Sequence, residues 1–133
     1  MKSIIITIVT VVYCLTTFAH EGHDKTPGTL AAPHGGQIKG TTQLYVELVS
    51  DSAGIKLYTF DHDLKTIPIK DVKIEGATKL PKQKKSIKIE LNTSESYLES
   101  KIDSKGSHRY ILDLKVTYKG KTETVSFNVE PQE

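Results

Sequence analysis

The alternation of apolar and polar residues near the end of the chain constrains its fold more than any other feature. From residue 110 to residue 118, every second side chain is apolar, and Val125, Phe127 and Val129 repeat the pattern. A period of two is typical of a strand with one buried face, whereas an amphipathic helix needs a period near 3.6. Lys119-Gly120 lies between the two stretches, so the sequence predicts a hairpin with both apolar faces on the same side.

Shorter alternating stretches precede this hairpin and predict an all-β fold. They cover residues 37–49, 55–60, 72–75 and 87–91, whereas residues 97–102 fit a short strand or a helical turn equally. Turn residues at 51–54 and 61–65 separate the first stretches. About seven short strands without a long helix indicate an antiparallel immunoglobulin-like sandwich over residues 37–133, and an open barrel is the alternative.

The first residues have the pattern of an export signal. Lys2 precedes an apolar run from residue 4 to residue 15, and Thr17 and Ala19 are the small residues of a cleavage site. The run is too short for a membrane span. We therefore expect a signal peptide over residues 1–19, a periplasmic or secreted protein, and no stable membrane span after processing. Residues 20–36 are rich in Gly, Pro and His, which predicts a flexible arm.

Composition narrows the chemistry of the exported chain. The only cysteine is Cys14 and the only methionine is Met1, so removal of residues 1–19 leaves neither thiol nor thioether. That chain has 17 basic and 16 acidic residues, a net charge of +1, which argues against a nucleic-acid partner. Residues 79–88 carry five lysines. A solvated loop is favoured there over a surface for an acidic partner or phospholipid, because no aromatic residues are interleaved.

The arm carries the clearest candidate metal ligands. Cleavage after Ala19 would make His20 the first residue, and its amine and imidazole can then chelate one ion together. His23 and Asp24 follow within four residues. Nitrogen and oxygen donors of this kind suit Cu(II), Zn(II), Ni(II) or Co(II), and copper or zinc are the expected ions. The alternative is that these residues form only a soluble spacer.

A second candidate is Pro33-His34-Gly35-Gly36. Two glycines after His34 permit a tight bend that brings the imidazole against the first strand. Glu47 lies in the middle of that strand, where a carboxylate needs a partner or an edge position, so a contact between His34 and Glu47 is one hypothesis. In the alternative, His34 caps a strand end and Glu47 is solvated on the outer face.

Residues 31–63 resemble a group of small exported bacterial proteins. The shared features are Pro-His-Gly-Gly, then Glu47-Leu48-Val49, then Leu57-Tyr58 with Asp61 three residues later. Related segments accompany periplasmic adaptor subunits of heavy-metal efflux systems. The resemblance implies a β-sandwich that handles metal, and it assigns a role only to the matching positions, which are His34, Gly35, Gly36, Glu47, Tyr58 and Asp61. Tyr45 stands where those proteins often have a histidine.

The remaining histidines are weaker candidates. Asp61 and His62 offer ligands at a strand end, although a turn explains both, and His108 is interpreted as a packing or edge residue. No phosphate-binding loop, helical His-Glu-x-x-His motif or nucleophile motif is present, so we expect no enzyme and no catalytic residue.

These observations predict an exported protein that binds or delivers a divalent transition metal, with an envelope efflux component as an expected partner. Metal would be coordinated by residues drawn from His20, His23, Asp24, His34, Glu47, Asp61 and His62. The alternative is a metal-independent immunoglobulin-like interaction module of the cell envelope. An N-terminal-histidine copper oxygenase is disfavoured because such enzymes also need a folded histidine and a substrate surface.

Overall fold

A computed structural model describes residues 30–131, which form two antiparallel β-sheets packed face to face. The first sheet has five strands in the order β1-β2-β3-β7-β6, and the second has four in the order β5-β4-β8-β9. The strands are β1 (Gln37–Gly40), β2 (Tyr45–Asp51), β3 (Gly54–Phe60), β4 (Lys73–Lys79), β5 (Ile87–Ile89), β6 (Asn92–Thr93), β7 (Leu98–Ser100), β8 (Tyr110–Tyr118) and β9 (Lys121–Val129). One turn of 3-10 helix, Ile69–Asp71, precedes β4.

The strand order is that of an immunoglobulin-like sandwich. Strands β2, β3, β7 and β6 occupy the positions of A, B, E and D in that fold, and β4, β8 and β9 occupy those of C, F and G. Strand β5 adds to the second sheet beside β4, and β1 adds to the first sheet beside β2. The predicted fold class is therefore confirmed.

The core consists of the inward-facing residues of both sheets. Even-numbered residues of β2 and β8 and odd-numbered residues of β3 and β9 point inward, as the alternation predicts. Phe127, Leu112 and Leu114 are among the completely buried residues. The predicted C-terminal hairpin is also confirmed, since Tyr118 pairs with Lys121 across the two-residue turn. Positive φ angles at both turn residues, 47° and 76°, are those of a type I′ turn.

The structure has nine strands in the described part of the chain, whereas the sequence predicted about seven. The first predicted strand is divided, because Thr41 folds residues 41–44 into a turn. Its backbone N–H donates to the carbonyl of Leu44 at 2.7 Å, and its hydroxyl accepts from the N–H of Leu44 at 3.1 Å. The ambiguous segment at 97–102 contains β7, and a two-residue strand, β6, pairs with it.

Strand β1 covers the outer edge of β9. The Gln37 side-chain amide donates to the backbone carbonyl of Asn128 at 2.9 Å, and the Lys39 ammonium donates to the carbonyl of Ser126. The turn after β1 continues this contact, because the N–H of Thr42 donates to the Glu123 carboxylate at 3.0 Å. The segment that enters the first sheet is thereby attached to the second.

Within residues 30–131 no helix has the length and apolar character needed to cross a membrane.

Candidate functional site

A completely buried carboxylate lies on the outer face of the first sheet. Val46 and Leu48 point into the core, so Glu47 between them points outward, where solvent is expected. Its side chain is nevertheless 0% exposed. The cover is residues 33–36, which turn back over β2 and β3 before β1 begins. Burial of a carboxylate is costly unless several donors satisfy it, and this site supplies them.

Three donors from the covering segment bind the two carboxylate oxygens of Glu47. Oε1 accepts from the backbone N–H of His34 at 2.8 Å and from that of Gly36 at 3.0 Å. Oε2 is 2.9 Å from Nδ1 of the His34 ring. The hypothesis of a contact between His34 and Glu47 is therefore confirmed, and the alternative of a solvated Glu47 is wrong. The backbone N–H groups of His34 and Gly36 together form a small anion-binding concavity around the carboxylate.

The two glycines have different functions in this bend. Gly35 has a φ angle of +75°, a backbone conformation that residues with a side chain rarely adopt. A Cβ at this position would meet no atom within 4 Å. A Cβ on Gly36 would lie only 2.2 Å from the backbone oxygen of Leu48. Gly35 therefore permits the turn, and Gly36 permits the close approach of the segment to β2.

Aromatic rings pack against the His34 imidazole. The His34 ring stacks on Tyr58 with a centroid distance of 3.8 Å and an interplanar angle of 15°, and Phe60 lies 5.9 Å away. Tyr97 lies 5.4 Å from Tyr58, and the Lys56 ammonium lies 5.5 Å from the Tyr97 ring. The register places Glu47 directly opposite Tyr58, which explains why one imidazole contacts both. We define His34, Glu47 and Tyr58 as the histidine clamp.

The clamp fixes one ring nitrogen of His34 and leaves the other side of the ring accessible. Nδ1 contacts the carboxylate, so it carries the proton when the imidazole is neutral, and Nε2 then has the lone pair. The His34 side chain remains 43% exposed. A carboxylate that orients an imidazole in this way is the usual support of a metal-binding histidine. Chemically, the site can offer one oriented nitrogen ligand, while both Glu47 oxygens are occupied.

The predicted ligands Asp61 and His62 are engaged in other contacts. Oδ1 of Asp61 accepts the backbone N–H groups of Asp63 and Lys65, both at 2.9 Å, and so stabilises the turn after β3. Nε2 of His62 lies 3.2 Å from the carbonyl of Thr42. Its ring also meets the Tyr45 ring edge-on at 5.1 Å.

The described residues contain no group of three or more His, Asp or Glu side chains arranged to hold a metal ion. His34 and Glu47 are brought together, but Asp61 and His62 do not complete a site with them. His20, His23 and Asp24 lie outside the described residues. A cleft of about 730 Å³ is a separate opening, lined by residues of β3, β5 and β7. Any metal bound at His34 therefore needs ligands from elsewhere.

Sequence reasoning missed Tyr97 and Lys56, which extend the aromatic surface beside the clamp. Tyr97 lies just before a three-residue strand in a segment with ambiguous periodicity, so nothing in its neighbours indicates that it approaches Tyr58. Lys56 precedes Tyr58 by two residues and therefore lies on the same face of β3, and this parity was the available signal.

Comparisons with protein-family models, with curated proteins and with solved structures found no match to this chain.

Proposed function

We propose that this chain is an exported, non-enzymatic protein that binds a divalent transition metal, copper or zinc, with His34 as its ligand on the folded domain. The observation that supports this proposal is the clamp. A fully buried carboxylate contacts Nδ1 of an imidazole whose side chain is 43% exposed, so the ring is oriented and Nε2 can bind a metal.

The arm supplies the remaining ligands in this proposal. His23 precedes His34 by 11 residues, and an extended chain spans at most about 3.3–3.6 Å per residue, so His23 and His20 can both return to the clamp. With cleavage after Ala19, His20 would add its amine. The ion would then be coordinated by nitrogen atoms and by Asp24. Exchange of the ion with an efflux component is the accompanying proposal on partners.

Calorimetry with Cu(II) and Zn(II) tests this proposal on the exported protein, after mass spectrometry has established its first residue. His34→Asn is the informative variant, because its amide can still donate to Glu47 but provides no imidazole. We expect it to bind at least about tenfold more weakly. His62→Asn is the matched control and should bind like the wild type. Addition of one residue before His20 should also weaken binding.

Electron paramagnetic resonance of the Cu(II) complex gives a second readout. Nitrogen hyperfine coupling reports coordinated imidazoles, and we expect His34→Asn to remove one of them while His62→Asn removes none. Absence of binding heat with either metal would refute the proposal. Equal affinities of the wild type and His34→Asn would show that the arm alone binds the metal and that His34 is not a ligand.

A second candidate function is a metal-independent interaction module, and the row of rings formed by His34, Tyr58 and Tyr97 favours it. Aromatic side chains are enriched at protein interfaces, and these three are partly exposed and adjacent. Capture of an envelope protein in the presence of a chelator, and its loss in Tyr97→Ala, would favour this function. Capture that needs added metal would favour the first.

A further inference from the structure

One end of the sandwich carries most of the exposed positive charge of the described domain. Residues 79–88, which run from the last residue of β4 into β5, contain five lysines and no acidic residue. Residues 101–109, between β7 and β8, contain two lysines and Arg109. All eight basic side chains are exposed. We call these two segments the basic pole.

The fold brings the two segments together, although residues 89–100 separate them in sequence. Lys79 at the end of β4 pairs with Ile111 at the start of β8, which places Arg109 beside it. On the other side of the same end, Lys88 and Lys101 line one cleft. The two basic loops therefore form one continuous end of the molecule.

This charge is concentrated rather than balanced. The acidic residues at the same end are Asp51, Glu90, Glu99, Asp103 and Glu130, so the end has 8 − 5 = +3 charges. Residues 30–131 contain 16 basic and 13 acidic residues, a net charge of +3, which leaves 3 − 3 = 0 for the rest of the domain. The net positive charge of the described domain therefore lies at this end.

Exposed apolar side chains occur at the same end. Within residues 30–131, Ile87 and Ile111 are the two exposed large hydrophobic residues, at 41% and 39% exposure. Ile87 begins β5, directly after the lysine-rich loop, and Ile111 is the second residue of β8, opposite Lys79. Ile87 lines the cleft between β5 and the first sheet, and Ile111 lies on the outer face of the second sheet, so the two side chains flank the second sheet at this end.

We propose that the basic pole docks on a bilayer that carries anionic phospholipid headgroups. The lysines supply attraction to the negative surface, and Ile87 and Ile111 supply apolar contact at the boundary between headgroups and acyl chains. One weak signal alone gives only marginal binding to membranes, and a basic patch combined with an apolar contact gives stable attachment. The histidine clamp lies on an outer sheet face rather than among these loops, so this proposal is independent of metal binding.

Vesicle co-sedimentation of the exported protein tests the proposal. The vesicles contain phosphatidylglycerol in phosphatidylcholine, and pure phosphatidylcholine vesicles serve as the reference. We expect the protein to bind only the vesicles that contain phosphatidylglycerol. Added salt should weaken this binding, because the contact is electrostatic. In the triple variant Lys82→Glu, Lys84→Glu and Lys85→Glu, the apparent affinity for these vesicles should fall at least about tenfold.

A matched control reverses three lysines at the opposite end. Lys65, Lys70 and Lys119 are exposed and lie in the turns at the other ends of β3, β4 and β8, so their replacement by Glu makes the same change in net charge. We expect this variant to retain most of the binding. Circular dichroism of both variants verifies that the sandwich is intact.

The double variant Ile87→Ser with Ile111→Ser probes the apolar part, and we expect it to weaken the binding that persists at high salt. Equal loss of binding in the two lysine variants would overturn the proposal, because net charge alone would then explain attachment. Binding to pure phosphatidylcholine, no binding to either vesicle, or pole-dependent capture of duplex DNA without vesicle binding would also overturn it.

Discussion

Replacement of Glu47 is the sharpest test of the role that the buried carboxylate has in the fold. Glu47→Leu preserves most of the side-chain volume but removes every acceptor for the two backbone N–H groups and for the His34 ring. We expect the covering segment to lose its attachment to β2. The variant should remain a folded sandwich, because the core residues of both sheets are on the other face of the strand.

The expected loss of stability follows from three contacts. A hydrogen bond to a charged group contributes about 1.5–3 kcal/mol, so three of them set an upper limit of about 4.5–9 kcal/mol. Two effects reduce this value. The variant no longer buries a charge, and residues 33–36 can detach, which returns their donors to water and restores chain entropy. We therefore expect the free energy of unfolding to fall by about 3 kcal/mol.

Thermal and urea unfolding followed by circular dichroism measure this loss. For a domain of this size, about 3 kcal/mol corresponds to a decrease in Tm of roughly 12–24 °C. Glu47→Gln keeps one oxygen for the backbone donors, and the imidazole can accept from its amide in the other tautomer, so about 1 kcal/mol should be lost. Glu99→Leu, an exposed glutamate of β7, is the control and should change stability by less than about 0.5 kcal/mol. A loss below about 0.5 kcal/mol in Glu47→Leu would refute this account of the clamp.

Three further predictions concern other residues. Burial raises the pKa of Tyr110 from 10.0 to about 12, so the native state holds the phenol proton more tightly than the unfolded state. The free energy of unfolding should therefore fall as pH rises from 10 towards 12. Tyr110→Phe should remove that part of the fall. The hydrogen bond from the Thr42 side chain lowers the pKa of Glu123 below 4.5. The contribution of Glu123 to stability is therefore present above pH 4.5 and is lost as pH falls through the pKa of Glu123 in the native state. Acid unfolding of Glu123→Gln should show a weaker pH dependence than that of the wild type. In urea unfolding, Gly36→Ala should destabilise the protein more than Gly35→Ala, because a Cβ at position 36 would meet the Leu48 backbone. Gly35→Ala should cost only about 1 kcal/mol, through the positive φ at that position. A larger loss in Gly35→Ala than in Gly36→Ala would contradict this assignment.

Period-two alternation was sufficient to predict the class of fold because it reports directly which face of a strand is buried. It succeeded best in β8 and β9, where nine-residue strands give many repeats. It failed where strands are short. Three residues of β7 cannot distinguish a strand from a helical turn, and the turn at residues 41–44 depends on one threonine hydroxyl that has no periodic signal.

The candidate site was predictable only in part, for a related reason. The glycines after His34 and the carboxylate inside a strand indicated the contact, because a bend and an acceptor both needed an explanation. Alternation, however, placed Glu47 on the solvent face and could not show that residues 33–36 cover it. Only the register reveals that Tyr58 lies opposite Glu47, and this register depends on the exact length of the turn between β2 and β3, which the turn residues at 51–54 did not fix.

The attachment of β1 to both sheets has a mechanical consequence for anything that binds the arm. A load applied at residues 33–36 passes first to the clamp and then to the ladder between β1 and β2. The side chains of Gln37 and Lys39 share that load with β9, across the seam between the sheets. A pull on the covering segment would thus be shared between the β1–β2 ladder and the side-chain contacts of β1 with β9, so that β1 would not bear it alone.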